Sequence, residues 1–279
     1  MEKVHLKVFN IKLISEKRSG ADAYIDILKK LHNDNISINT YGDKFTEIRT
    51  LRSNHGGRIF TGSIINYTVL DPENWYNKRE NKKQSYFVDE NLYPNAKDCV
   101  YYFIPEAHRF CYIYTQGITP NQIENFLKEG LNKVVDEGEE IKVSIEVSQD
   151  IIDRILTADF LTRLEVQVSY SNNDLTEDYA ELIDNDLRST HVNEISIVAK
   201  SNKSTPLDLQ KSKILKGYIQ LSKSNGYAKA TIRDSNNKKK TIDTKEHPLE
   251  LTVEASTEDP SQSVLGKIMS LFRRNESEQ

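Results

Sequence analysis

Cysteine is nearly missing from this sequence. The two that occur, Cys99 and Cys111, sit in apolar runs flanked by Tyr and Phe. That placement predicts buried, reduced thiols in a reducing compartment, with a disulfide between paired strands as the alternative. Glycine is sparse and scattered. Of 11, none opens a phosphate-cradling loop, and Gly56-Gly57 lacks the Lys-Ser/Thr that would complete one. The six histidines, His5, His32, His55, His108, His191 and His247, never pair with another His, Cys or carboxylate at metal spacing. They read as structural or surface groups, so no metal and no cofactor is expected. No G-x-S-x-G elbow occurs, and neither cysteine stands beside a base that would activate it. Runs approaching the ~20 apolar residues of a membrane span are absent as well. The first residues, MEKVHLKVFNIKL, alternate instead of forming an apolar block, which argues against a signal peptide and for a cytoplasmic chain. There is no excess of positive charge either. With 38 Lys and Arg against 42 Asp and Glu, the net charge is -4, so only a local patch can hold a nucleic acid.

What is present is a polar but foldable composition, 37% apolar and 29% charged, over 279 residues, enough for two moderate domains. Alternation predicts strands over Val4–Ile14, Ile36–Tyr41, Phe45–Leu51, Arg58–Leu70, Cys99–Ile104 and Phe110–Tyr114. A stripe of Tyr24, Ile27, Leu28 and Leu31 marks a helix over Ala21–Leu31, and Thr119-Pro120 starts another that runs from Asn121 to about Val135. Asp71–Gln84 reads as a polar loop. The cluster Asp136-Glu137-Gly138-Glu139-Glu140 marks a boundary, beyond which strands and helices alternate. Strands are predicted at Ile141–Val147, Leu161–Tyr170 and Val192–Ala199, with helices at Ile151–Leu156, Leu175–Leu187 and Leu207–Leu221. The expected fold is α+β: two mixed α/β domains with largely antiparallel sheets, residues 1–138 and 139–258, and a short C-terminal amphipathic tail, 259–279.

The stretch Asn225–Leu249 reads as a hairpin. Tyr227, Lys229, Thr231 and Arg233 alternate with Ala228, Ala230 and Ile232, and Asp234-Ser235-Asn236-Asn237 supplies turn chemistry. Lys238, Lys239 and Lys240 open the return strand, and Leu249–Val253 makes a last one. Two further basic groups stand out. Lys78, Arg79, Lys82 and Lys83 lie among Trp75, Tyr76 and Tyr86, and Arg49, Arg52 and Arg58 cluster with Lys44 on adjacent predicted strands. Cations at backbone spacing are all that phosphate contacts need, and aromatics among them offer stacking surfaces. The blander reading of each group is a solvated face.

Two rival readings use other residues. Glu140-Ile141-Lys142 has the Glu-x-Lys spacing of a restriction-endonuclease core, with Asp136 or Asp98 as second carboxylate for metal-dependent hydrolysis. Val264, Leu265, Ile268, Met269, Leu271 and Phe272 fit an amphipathic helix that either docks on its own domain or captures a protein partner.

Four segments together carry a resemblance. They are Tyr41–Phe45 with Gly62-Ser63-Ile64; Leu92–Asn95 with Tyr101–Pro105; Ile118–Glu124; and Asn225-Gly226-Tyr227 through Thr244–Leu249. Their order and spacing are similar to those of an uncharacterised bacterial family known as a domain of unknown function. More distantly, chain length and order of elements resemble the RexA exclusion proteins of temperate phage and the KwaB proteins of a bacterial anti-phage system. The resemblance implies a dimeric, cytoplasmic, non-enzymatic defence protein that binds DNA without sequence preference, as sensor or adaptor for a separate membrane or effector protein. It transfers no functional residues. On the residues alone, Arg233, Lys238, Lys239 and Lys240 are expected to grip phosphates, with the 78–83 and 49–58 groups extending the track.

Overall fold

The alternation at the amino terminus becomes one long strand, β1 (Glu2–Ile14), in a computed structural model that describes residues 2–87, 89–115, 117–158, 160–171, 178–202, 205–233, 238–255 and 260–271. After it come α1 (Ala21–Asn33), β2 (Ile38–Tyr41), β3 (Lys44–Asn54), β4 (Ile59–Thr68), β5 (Trp75–Asn77) and β6 (Lys82–Gln84). Then follow β7 (Lys97–Ile104), β8 (Arg109–Ile113), α2 (Pro120–Val134), β9 (Glu140–Ile145), α3 (Gln149–Leu156) and β10 (Leu161–Val168). The chain continues with α4 (Asp178–Ser189), β11 (Ile195–Lys200), α5 (Lys213–Asn225), β12 (Gly226–Arg233), β13 (Lys239–Asp243), β14 (Glu250–Ala255) and α6 (Pro260–Leu271). The class is α+β with largely antiparallel sheets, as the alternating segments predict. Among the described residues no helix is long and apolar enough to cross a membrane.

The chain divides into two compact units. Unit one joins Met1–Lys12, His108–Cys111 and Lys142–Ser270, and unit two holds Leu13–Ala107 and Tyr112–Ile141.

In unit two the antiparallel run β7-β4-β3-β2 packs with α1 and α2. The predicted stripe of α1 is buried at Tyr24, Ile27, Leu28 and Leu31. Thr119 and Gln122 close a reciprocal capping box at the start of α2, and Pro120 takes the first turn, where its missing N–H costs nothing. Cys99 is a free, buried thiol whose pKa burial pushes up to about 12. The acid cluster at 136–140 is held in place by a cation. Arg18 donates to Glu139 from Nε at 2.9 Å and from Nη2 at 2.7 Å, and to Asp26 at 2.6 Å, while Ser15 Oγ also donates to Glu139. The stretch expected as a loop over 71–84 instead contains the β5–β6 hairpin. It has no apolar alternation to read. Polar side chains close it: Asn77 Nδ2 donates to Gln84 at 3.0 Å, Asn77 Oδ1 accepts from the Arg79 and Glu80 backbone, and Trp75 leans on Tyr86 at 4.9 Å.

Unit one contains a four-stranded antiparallel sheet in the order β11-β10-β12-β13. One face carries Leu164, Val166, Val168, Ala228, Ala230 and Ile242, buried against Ile151, Ile152 and Ile155 of α3, Ile183 and Leu187 of α4, and Ile219 of α5. The helix expected over 207–221 starts only at Lys213. Asp208 Oδ1 accepts from the Gln210 and Lys211 backbone, Leu207 bridges to Leu161, and Ser212 caps α5 by accepting from Leu215. Local side-chain acceptors win over helix propensity there. The start of the helix expected at Leu175 lies outside the described residues, as does the turn 234–237. The apolar stripe of α6 is covered at Val264, Leu265 and Ile268, while Phe272 lies outside the described residues. Cys111 is likewise free and buried.

A buried polar knot ties the segments of unit one together. Arg109 on β8 pairs with Glu146 at 2.5 Å and donates to Asn10 Oδ1 on β1 at 2.8 Å. Asn10 Nδ2 in turn donates to the Ser224 carbonyl at 3.0 Å and to Asn225 Oδ1 at 3.1 Å, at the end of α5. All of these side chains except Ser224 are buried. Removing one partner of a buried ion pair strands the other charge, at roughly 3–5 kcal/mol. Arg109→Ala is therefore expected to lower the free energy of unfolding by that much, read from urea titrations followed by far-UV circular dichroism, while Arg109→Met with Glu146→Leu recovers most of the loss.

Arg18 holds the Glu139 carboxyl down at about 2, against an ordinary value of 4.5. A carboxylate with a depressed folded-state pKa contributes stability that is whole above its unfolded value and is lost as pH falls through the folded one. Glu139→Gln is expected to cost roughly 1.5–3 kcal/mol at neutral pH and to flatten the stability profile between pH 4.5 and about 2. Urea titrations across that window check it.

Candidate nucleic-acid interface

Among the described residues α3, α4 and α5 pack against one face of the four-stranded sheet, and the other face takes the polar half of each alternating strand. Alternation and register place there Ser196, Val198 and Lys200 of β11, Arg163, Glu165 and Gln167 of β10, Tyr227, Lys229, Thr231 and Arg233 of β12, and Lys239, Thr241 and Asp243 of β13. At Gly226, where α5 passes into β12, a Cβ would lie 1.9 Å from the Gln167 carbonyl oxygen, so only glycine lets the two strands meet.

Charge is distributed unevenly over this face. In its middle, opposite charges neutralise each other: Lys229 pairs with Asp243 at 3.3 Å and Arg163 with Glu165 at 2.8 Å. The Glu165 carboxyl is held below its usual range, chiefly by its bond from Arg163. Tyr227 lies under Lys245 Nζ, 4.0 Å from the ring centre, and burial together with Glu165 and Asp243 raises its phenol pKa. At one end like charges face each other. Arg233 stands directly opposite Lys239, and Arg163 directly opposite Lys200. Such cross-strand pairs oppose folding locally. Arg233 is also stacked on Phe160, 5.4 Å from the ring centre, which fixes its guanidinium near the sheet.

The triple lysine is divided by the strand period. Lys239 joins Arg233 on the open face, Lys240 falls opposite Ile232 on the other side, and Lys238 precedes the strand. All three are exposed. Arg163 and Lys200 were not singled out from sequence. The alternation of LTRLEVQV and ISIVAK marks their face, but only the register between β10 and β11 sets them against each other.

A family model described as a domain of unknown function (DUF4747) matches residues 2–270. The chain belongs to this family. No curated protein matches it.

In this DUF4747 chain the other sequence-selected cations lie in unit two. Arg49 sits at a register shift of β3 and reaches Asp98 at 3.2 Å and Ser63 at 3.3 Å. Arg52 lies opposite Thr61, on the side that carries Ser63, and Arg58 is exposed just before β4. Lys78 and Arg79 occupy the turn between β5 and β6. Lys82 pairs with Glu80 at 2.6 Å, and Lys83 stands opposite Tyr76. Tyr76 is 62% exposed and its hydroxyl is bound to Asn81, which leaves its ring presented to solvent beside Lys83.

The two candidates for the second carboxylate of the nuclease reading are engaged by basic side chains. Asp136 lies 3.4 Å from Lys30 and 3.7 Å from Arg18, Asp98 binds Arg49, and Lys142 donates to the Asn193 carbonyl at 3.1 Å. Among the described residues no three His, Cys, Asp or Glu side chains come together as a metal site would require.

Proposed function

We propose that the open sheet face of unit one binds the phosphate backbone of DNA without sequence preference. The observation that carries this reading is the juxtaposition of Arg233 with Lys239 and of Arg163 with Lys200 at one end of a solvent-facing sheet. A polyanion laid across that end would meet Lys200, Lys239 and the guanidinium of Arg233, with Arg163 beside them paired to Glu165, and none of the four needs a base edge to do so. Lys238 and Lys240 add charge around the hairpin, and Lys245, lying over the Tyr227 ring, adds another cation. In unit two the Lys78–Lys83 hairpin and the Arg49, Arg52 and Arg58 surface supply further cations.

The distant likeness of this family to RexA and KwaB proteins, in length and order of elements, supports placing that binding in anti-phage defence. The chain then acts in the cytoplasm as a non-enzymatic sensor or adaptor, with the response carried by a separate effector protein. The metal-dependent nuclease reading is less favoured, because Asp136 and Asp98 are both held by basic side chains. The protein-capture reading of the C-terminal helix is less favoured because Val264, Leu265 and Ile268 are buried.

Filter binding of duplex DNA over a salt titration tests the proposal. Affinity is expected to fall steeply with salt, and Arg233→Gln with Lys239→Gln to weaken binding and flatten the log–log slope by about 0.9 per lost phosphate contact. Affinity indifferent to salt, or unchanged in the double variant, overturns it. DNA incubated with magnesium or manganese is expected to stay intact; cutting that Glu140→Ala abolishes would install the nuclease instead.

A further inference from the structure

The two edges of the four-stranded sheet differ in kind. β13 carries Lys239 and Lys240, and lysine on an edge strand is a common device against pairing with another chain. β11, at the opposite edge, reads Ile195-Ser196-Ile197-Val198-Ala199 before Lys200, with no charge, proline or glycine inside it. Its outer side meets no strand among the described residues.

The direction of its free backbone groups follows from the register. Ser201 N–H donates to the Thr162 carbonyl at 2.9 Å, so Ile195, Ile197 and Ala199 turn their backbone groups toward β10. Ser196, Val198 and Lys200 turn theirs outward. An identical strand laid antiparallel in register about Ile197 sets Ser196 against Val198 of the second copy, twice over. Both residues of each pair face outward, so the ladder closes. The same register sets exposed Glu194 against exposed Lys200 at both ends, and brings the half-buried Ile195, Ile197 and Ala199 of the two copies together on the helix-covered side. A slip that centres the pairing on Val198 sets Ser196 against Lys200 and loses both charge pairs.

We infer that this chain forms a two-fold dimer through antiparallel self-pairing of β11, with Glu194 and Lys200 fixing the register. A strand that complements itself in hydrogen bonds, apolar contacts and end charges favours a second copy over an unrelated peptide. The inference goes beyond the DNA-binding reading and does not rest on it. Glu194 from the second copy would sit beside Lys200, while Arg233 and Lys239, at the far side of the sheet, stay untouched.

Size-exclusion chromatography with light scattering on the full chain, without nucleic acid, tests it. The wild type is expected at twice the 32.1 kDa chain mass. Val198→Pro removes an N–H that points away from β10, so it is expected to give single-chain mass with an unchanged circular dichroism spectrum. Glu194→Lys or Lys200→Glu is expected to weaken association roughly tenfold, and the two together to restore it. A wild type that runs as a monomer at high micromolar concentration, a dimer that survives Val198→Pro, or a charge swap without rescue overturns the inference.

Discussion

The buried ion pair of Arg109 and Glu146 ties the segments of unit one together. Arg109 and Glu146 come from segments 37 residues apart, and through Asn10 and Asn225 they bind the first strand and the end of α5 as well. A guanidinium and a carboxylate withdrawn from water are tolerated only when every neighbour is placed to meet them. The backbone reinforces the knot: Glu146 N–H donates to the Val8 carbonyl, Leu249 N–H to the Glu146 carbonyl, and Val147 N–H to the Lys223 carbonyl. Asn225 is thereby fixed at the point where α5 becomes β12. The position of the hairpin, and of Arg233 on it, depends on that junction.

The sheet that follows is two-sided by necessity. Its period-two alternation sends Leu164, Val166, Ala228 and Ala230 against the helices and leaves the intervening polar residues to water. On an acidic chain this open face is where local positive charge can accumulate without crossing the core. Lys229 pairs with Asp243 and Arg163 with Glu165, while at one end of the face Arg163 also stands opposite Lys200 and Arg233 opposite Lys239. Within the fold Arg163 is held by Glu165 and Arg233 by the Phe160 ring, so these cations stay fixed at the end of the sheet where the proposed phosphate contacts would fall.

The edges of the sheet obey the same economy of hydrogen bonds. Lysines on β13 make pairing at that edge unfavourable, and on the proposed reading they also lie where phosphates would be met. β11 has no such guard. Among the described residues no strand pairs with its outer side, and its ends complement each other in charge.

Much of this was legible in the residues. Wherever alternation or a helical stripe was strong, as in β1, α1, α2 and the β12–β13 hairpin, the element formed, because burial of one face decides it. The β5–β6 hairpin and the late start of α5 were not legible, since Asn77, Asp208 and Ser212 settle them by local side-chain bonds that leave no period in the hydrophobic pattern. For the site, sequence determined which strands alternate and where the lysines cluster. Register, which sequence does not encode locally, decided the rest. It set Lys239 beside Arg233, put Lys240 on the opposite face, and brought Arg163 up against Lys200 from a strand nearly forty positions away. Strand pairing joins residues by hydrogen bonds across space, and only the folded chain fixes which ones meet.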